Sequence, residues 1–400
     1  MDGEKLYLPA CGIVTPIGCG KAAVAQALFN PSTDGIVCEK ILTDGRKVLA
    51  GAVSDPLPQI PAELTTLNSR NNRLMLLALQ EIAQDVMAAR QRYGRDRIAI
   101  VLGSSTSGID NGEDAFEARV KDGVWPAAFD YRQQELTSLA EFTASIFDLT
   151  GPAYTIATAC SSSAKVFASA RRLIRAGLAD AAIVGGADSL CRMTLNGFAS
   201  LELVSQGHCL PFSKNRDGIN IGEGAAAFLL TPEPADIALL GVGETADAHH
   251  MTAPEPSGVW ATAAMQQALT MAGLAADDIA YVNLHGTGTG LNDAMEANAV
   301  SALFGDRVPC SSTKGMTGHM LGATGGCEAA FLWLSLSAAF NREGQLPPHR
   351  WDGVADPALP ALRFVTPVMR FDRQGRVAML SNSFGFGGSN AAVILGRETV

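Results

Sequence analysis

Apolar residues along this chain follow two periods, and the switches between them set out its elements. Runs rich in β-branched and small apolar side chains fall at residues 97–102, 181–186 and 224–230, and again at 279–284, 377–381 and 390–395, each reading as a strand. Three longer segments keep the helical period instead. Leu74, Leu77, Ala78, Ile82 and Val86 predict a helix from about 72 to 90. Ala164, Phe167, Ala170 and Ile174 form one face of a second helix that Cys160 opens and Gly177 stops, with Lys165, Arg172 and Arg175 placed elsewhere. From Met320 to Phe340 the only charged residue is Glu328, so this third helix is expected to be buried all round.

The runs also come in a repeated order. In the first half, 97–102 is followed by the segment around Cys160, then 181–186, then 224–230. The second half gives 279–284, a segment with Lys314 and His319, then 377–381 and 390–395. A duplicated α/β unit follows, with its seam near Thr231-Pro232-Glu233-Pro234, so that the halves are residues 1–234 and 235–400. At 47% hydrophobic and 18% charged, 400 residues can bury the large core that this requires.

Charge and cysteine usage narrow the class. A net charge of −10 with no basic run argues against nucleic acid binding. The first residues, Met1-Asp2-Gly3-Glu4-Lys5, lack a basic start and apolar core, and no apolar run approaches a membrane span, so a cytoplasmic protein without membrane insertion is expected. The eight cysteines form no CxxC pair, which leaves no support for a zinc site or a disulfide framework. No metal is expected.

Candidate chemistry gathers around Cys160, in Thr158-Ala159-Cys160-Ser161-Ser162-Ser163. The unpaired N–H groups at a helix N-terminus favour thiolate, so a lowered pKa is expected there. His285 stands in His285-Gly286-Thr287-Gly288-Thr289, and Lys314 and His319 lie five apart. An acylated cysteine needs a carbanion partner, which decarboxylation of a malonyl thioester supplies without a strong base. Two neutral imidazoles donating hydrogen bonds would stabilise the enolate oxygen, and an ammonium at Lys314 would help to keep His319 neutral. A carboxylate at Glu328 inside an apolar helix must be neutral or paired, which makes it a candidate for pinning the Lys314/His319 loop; a half-exposed glutamate at a helix edge is the competing reading. The glycines of Phe384-Gly385-Phe386-Gly387-Gly388-Ser389-Asn390 let backbone N–H groups approach a substrate oxygen, while Thr287 and Thr289 offer hydroxyls to an amide-rich arm. Arg70 and Arg73 give a weak docking hint, against the simpler reading of solvated helix charges.

At these residues the chain resembles the elongating β-ketoacyl-acyl carrier protein synthases of the thiolase superfamily. The resemblance runs from Gly12-Ile13-Val14-Thr15-Pro16-Ile17-Gly18 through Asp217-Gly218-Ile219-Asn220-Ile221-Gly222-Glu223-Gly224 to Asn382-Ser383-Phe384-Gly385-Phe386-Gly387-Gly388. It implies a five-layered αβαβα fold of two similar halves and a dimer, either a homodimer or a heterodimer with a chain-length-factor-like subunit. It also implies acyl and malonyl groups carried on the phosphopantetheine of acyl carrier protein, with no other cofactor. By resemblance Cys160 is the acylated nucleophile, His285 and His319 serve decarboxylation and condensation, and Lys314 and Glu328 support them. The N–H groups of Cys160 and Phe386 form the oxyanion hole, Phe386 and Phe198 gate the acyl pocket, and Thr287 and Thr289 grip the pantetheine.

Some positions depart from the pattern. Glu202 replaces an expected basic docking residue, Asn71 and Asn72 dilute the cluster beside Arg70 and Arg73, and Thr106, where the acyl pocket meets the dimer partner, hints at an unusual chain. A non-decarboxylating thiolase would need a second catalytic cysteine, yet none follows Cys327. A non-catalytic chain-length factor would lack the nucleophile. The catalytic member of a synthase/chain-length-factor pair stays open, as does the choice between fatty acid and specialised polyketide or polyene synthesis.

Overall fold

The computed structural model describes residues 5–372 and 374–397. Its strands form two five-stranded sets with the same layout. In the first, Leu6–Thr15 pairs with Gly224–Thr231, which pairs with Ala181–Asp188, then Ile98–Gly103, then Ala153–Ile156. The second runs Ile237–Ala246, Ser389–Arg397, Val377–Gly385, Ile279–Asn283 and Pro309–Ser311. In both sets the first two pairings are antiparallel and the last two parallel. The repeated order read in the sequence is therefore a repeated topology, to which each half adds a first strand and a short parallel strand, Ala153–Ile156 or Pro309–Ser311, that the apolar runs had not revealed. A short ladder of Leu6 with Leu239 and Tyr7 with Ala238 joins the sets into one sheet system, extended at the far edge by Arg363–Phe364.

Strand side chains alternate between cores. Ile98, Ile100 and Leu102 pack against the helices Arg70–Tyr93 and Ser138–Phe147, whereas Ala99 and Val101 face the helices Ser162–Arg175 and Thr324–Leu336. In the second set Ala378, Leu380, Ala392 and Ile394 meet the helices Val259–Ala272 and Gly290–Phe304, while Met379, Val393 and Leu395 join the same central cluster. The result is five layers, helix, sheet, helix, sheet, helix, in which both faces of every central strand are buried. That arrangement explains why the strands read as continuous apolar runs rather than alternating ones. Among the described residues no helix is long and apolar enough to cross a membrane.

The helices follow the sequence reading with shifts at their ends. The first runs Arg70–Tyr93, because Ser69 caps it by accepting the Asn72 N–H at 3.2 Å. The central helix of the first half begins at Ser162, so Cys160 stands just outside it. Thr324–Leu336 is buried at all of its positions, Glu328 included, as the all-round apolar pattern required.

Each half lets an outer helix approach its first strand through a glycine. A Cβ on Gly12 would sit 1.9 Å from the Ala78 carbonyl oxygen, and one on Gly243 would sit 1.9 Å from that of Ala264. Gly12→Ala and Gly243→Ala are each expected to destabilise by about 1–3 kcal/mol through overpacking. Calorimetry should show a lower thermal midpoint for both; an unchanged midpoint would contradict the close approach.

Candidate active site

The site lies where the parallel strands of both halves end. Ala153–Ile156 leads to Cys160, Ile279–Asn283 to His285, and Pro309–Ser311 to Lys314 and His319. Carboxyl ends of parallel strands are where α/β folds gather ligand-binding loops. The Cys160 turn is strained: Ala159 has φ 51°, a left-handed conformation that L-residues adopt only when neighbours enforce it. Ser162 Oγ accepts from Thr158 N at 2.9 Å and donates to Ala159 O at 2.5 Å, and Ser161 Oγ reaches Ser389 Oγ of the glycine-rich loop at 2.9 Å.

Cys160 Sγ lies 3.0 Å from His319 Nε2, and His319 Nδ1 lies 3.0 Å from Thr324 Oγ1. The His285 ring stands edge-on to that of His319, with centroids 5.3 Å apart. Donor atoms of Cys160, His285 and His319 all fall within 4.8 Å of one another, a grouping that could hold a soft metal ion, although the nearby Lys314 ammonium works against any cation there. Burial, reinforced by Lys314, holds both imidazoles well below the usual histidine range, so both are neutral. Lys314 Nζ bonds Glu328 Oε1 at 2.6 Å with both side chains about 1% exposed. Burial lifts the Glu328 carboxyl to about 7, while Lys314 acts in the opposite direction.

One electrostatic expectation is corrected. The Cys160 thiol is pushed up to about 11, because burial outweighs the Lys314 charge and the N–H groups of Phe386 and Cys160 that favour the thiolate. Cys160 lies outside the helix rather than on its first turn, so the helix end exerts less pull than a residue at the cap would feel.

Cys160, His285 and His319 line a cleft of about 210 Å³ that also receives Phe198, Thr287, Thr289, Phe386 and His250, while Lys314 and Glu328 lie outside its lining. The Phe198 and Phe386 rings are 5.6 Å apart, and the Thr287 and Thr289 hydroxyls are 3.0 Å apart. Other expected residues lie elsewhere. Thr106 is buried away from the cleft lining, with its Oγ1 donating to Asp188 at 2.8 Å. Asn71 and Asn72 are buried and dilute no surface cluster. Arg70 pairs with Glu223, and Arg73 donates to the Leu57 and Pro58 carbonyls, so both staple loops to a helix rather than stand free for a partner. Glu202 is exposed, at φ 58°.

Two buried carboxylates had escaped the sequence reading. Glu296 accepts the His285 and Gly286 N–H groups at 2.7 Å each, and Asp293 accepts those of Thr287 and Gly288 at 3.1 and 3.2 Å. Together they fix the loop that presents His285. Their spacing of three, one turn into the helix after a glycine-rich loop, was the available signal.

Comparison with known proteins accords with this geometry. Residues 45–235 match the family described as "Beta-ketoacyl synthase, N-terminal domain", and residues 237–349 match "Beta-ketoacyl synthase, C-terminal domain". The chain is 37% identical to 3-oxoacyl-[acyl-carrier-protein] synthase 2 of Rhizobium meliloti (strain 1021), covering 99% of each. It is 44% identical to the ketosynthase ApeO, solved in complex with its chain length factor ApeC from Xenorhabdus doucetiae, with a TM-score of 0.92 and 98% of each chain covered. A beta-ketoacyl synthase from Burkholderia phymatum STM815 is 26% identical, with a TM-score of 0.85 and 100% of each chain covered. The chain belongs to the beta-ketoacyl synthase family.

Proposed function

We propose that this chain is a 3-oxoacyl-[acyl carrier protein] synthase acting in the cytoplasm by decarboxylative Claisen condensation. The observation that carries the reading is the buried Cys160···His319 contact at 3.0 Å with His285 edge-on beside it. In the first half-reaction the Cys160 sulfur attacks the acyl thioester, the pantetheine thiol leaves, and the Cys160 proton passes outward with it. Developing negative charge on the carbonyl oxygen meets the N–H groups of Cys160 and Phe386, both of which face the sulfur.

In the second half-reaction a malonyl thioester reaches the same cleft past Thr287 and Thr289. Its bond to the carboxylate breaks, CO₂ leaves, and the electron pair is held as an enolate by His285 and His319 acting as neutral donors. The carbanion attacks the acyl-Cys160 carbonyl, and collapse of the adduct releases Cys160 and the 3-oxoacyl product. Lys314, tied to Glu328, keeps the histidines uncharged, and Phe198 with Phe386 closes the mouth. In this reading the first half of the chain, to residue 234, supplies the nucleophile, and the second, from 235, supplies the base and donor groups; the repeated strand order supports that division. The site calls for no metal or redox cofactor.

The carrier of both substrates is acyl carrier protein. For the dimer partner, the likeness to a ketosynthase solved with its chain length factor favours a catalytic subunit paired with such a subunit over a homodimer. Copurification with a synthase-like chain encoded beside it, against a self-associating chain by light scattering, decides between them.

Cys160→Ala should show no acyl mass gain after mixing with acyl carrier proteins of varied chain length and unsaturation; a gain in the variant would end the reading. His285→Ala and His319→Ala should each lower condensation by about 10²–10³-fold, as loss of one oxyanion donor does, while Cys160 still acylates. Because Lys314 is one cause of the low histidine pKa values, activity should be lost on acidification only well below pH 6.5 in the wild type. Removing that charge in Lys314→Met raises the histidine pKa values, so the acid limb of the rate profile moves towards neutral pH. An unmoved limb would contradict the electrostatic role of Lys314.

A further inference from the structure

Behind the cleft, outside its lining, one carboxylate touches both arms of the site. Asp188 ends the strand Ala181–Asp188 and is fully buried. Its Oδ1 accepts from Ser104 Oγ and Ser105 N at 2.7 Å and from Thr106 N and Thr106 Oγ1 at 2.8 Å. Its Oδ2 accepts from Gly322 N at 2.5 Å and Ala323 N at 3.2 Å, at the start of the turn that leads into the second central helix. So many donors can hold a carboxylate in an apolar interior, and N–H groups at a helix start are suited to an anion.

Each side of this carboxylate continues to a reacting group. From Oδ1, the bound loop extends Ser105 Oγ to the Ala159 carbonyl at 3.3 Å, one residue before Cys160. From Oδ2, the Gly322–Ala323 amides fix the turn preceding Thr324, whose Oγ1 meets His319 Nδ1. Both arms pass through a non-glycine residue in the left-handed region, Ala159 at φ 51° and Leu321 at φ 49°. Such conformations persist only where the surroundings enforce them, and Asp188 contributes a restraint on each side, through the Ser105 residue that reaches Ala159 and through the amides that follow Leu321.

We propose that Asp188 is a positioning residue that sets the Cys160–His319 contact by holding the nucleophile turn with one oxygen and the histidine turn with the other. An amide in its place keeps the shape but turns one acceptor into a donor, which faces N–H groups that then have no partner. Gly322 shows how little slack the link has, since a Cβ there would lie 2.8 Å from Asp188 Oδ2 and 2.4 Å from Ser105 Oγ.

This inference rests on Cys160 being the nucleophile, yet it can be read without either substrate. Alkylation of Cys160 by iodoacetamide, followed by intact mass across pH, reports how His319 addresses the sulfur. Asp188→Asn should flatten the pH profile of alkylation and lower kcat for condensation by about a hundredfold, the scale of a misplacement near 1 Å, whereas loss of the Asp188 charge alone, one cause of the raised thiol pKa, would only move the profile to lower pH. KM for the acyl carrier protein should stay within about twofold, because the pantetheine contacts are untouched. Thr324→Val, which keeps shape and removes only the histidine arm, should likewise flatten the alkylation profile. Should Asp188→Asn fail to fold, Gly322→Ala disturbs the same link with the carboxylate in place and should reproduce the kcat loss. A folded Asp188→Asn, or Gly322→Ala in its stead, with wild-type alkylation profile and wild-type kcat overturns the proposal. So does a variant in which KM rises while alkylation is unchanged. Altered alkylation in a protein whose wild type condenses no acyl donor would instead refute the functional reading and leave the positioning role standing.

Discussion

The shared central layer is the constraint on which this structure depends. Each half of the chain builds a sheet that must bury both faces, and a single half has only its own outer helices to cover one of them. The helices Ser162–Arg175 and Thr324–Leu336 cover the other face of both sheets at once, with Phe167, Phe331, Leu332 and Leu334 in one cluster with Phe228, Met379 and Leu395. Burial of side chains of that size contributes about 1.5–3 kcal/mol each. Because these two helices occupy equivalent places in the repeat, each is entered by an equivalent loop, from Ala153–Ile156 in the first half and from Pro309–Ser311 in the second. One loop carries Cys160 and the other carries Lys314 and His319. The site is thus assembled by the packing that makes the two halves one domain.

That origin has an electrostatic consequence. The groups gathered between the layers are buried, and burial penalises every charge among them. Lys314 and Glu328 resolve the conflict as a pair at 2.6 Å. A buried pair of this kind adds little net stability compared with an apolar replacement, but breaking it leaves an uncompensated charge. Its value lies in what the ammonium does to its neighbours: together with burial it keeps His285 and His319 uncharged. Neutral imidazole N–H groups can stabilise an oxyanion across the physiological range, whereas protonated ones would compete as an ion pair for the cysteine.

Much of this was legible in the sequence wherever the signal was local. Glu328 stood out as one charge in an apolar helix, the repeat emerged from run order, and the Cys160, His285 and Lys314/His319 segments all converge on the cleft. What escaped depended on distant partners. Arg70 reads as a surface charge until Glu223, 153 positions away, closes on it. The Thr106 hydroxyl finds its partner in Asp188, 82 positions on, a contact that no local pattern announces. The first strands, Leu6–Thr15 and Ile237–Ala246, were missed because glycines admitted for helix contact, Gly12 and Gly243 among them, break their apolar runs. The direction of the Cys160 shift was misjudged for the same reason, since proximity to a helix start is visible in sequence and enclosure by the other half is not.

That enclosure leaves the nucleophile with an apparent handicap. Burial disfavours the Cys160 anion by more than the Lys314 charge and the nearby N–H groups recover, so the thiol is pushed up to about 11. Preorganised donors act against that penalty, since one oxyanion-hole N–H is worth about 2.7–4 kcal/mol once charge develops. The N–H groups of Cys160 and Phe386 already face the sulfur, so they can stabilise charge first on the thiolate and then on the carbonyl oxygen it attacks. A resting thiol is also less open to oxidation and stray alkylation, because the thiolate is the reactive species. In the proposed reaction, burial would hold Cys160 in check until an acyl thioester fills the cleft, and the same donors would then act on the charge that the substrate brings. The high resting pKa and the role proposed for Cys160 follow from one feature, its burial between the two sheets.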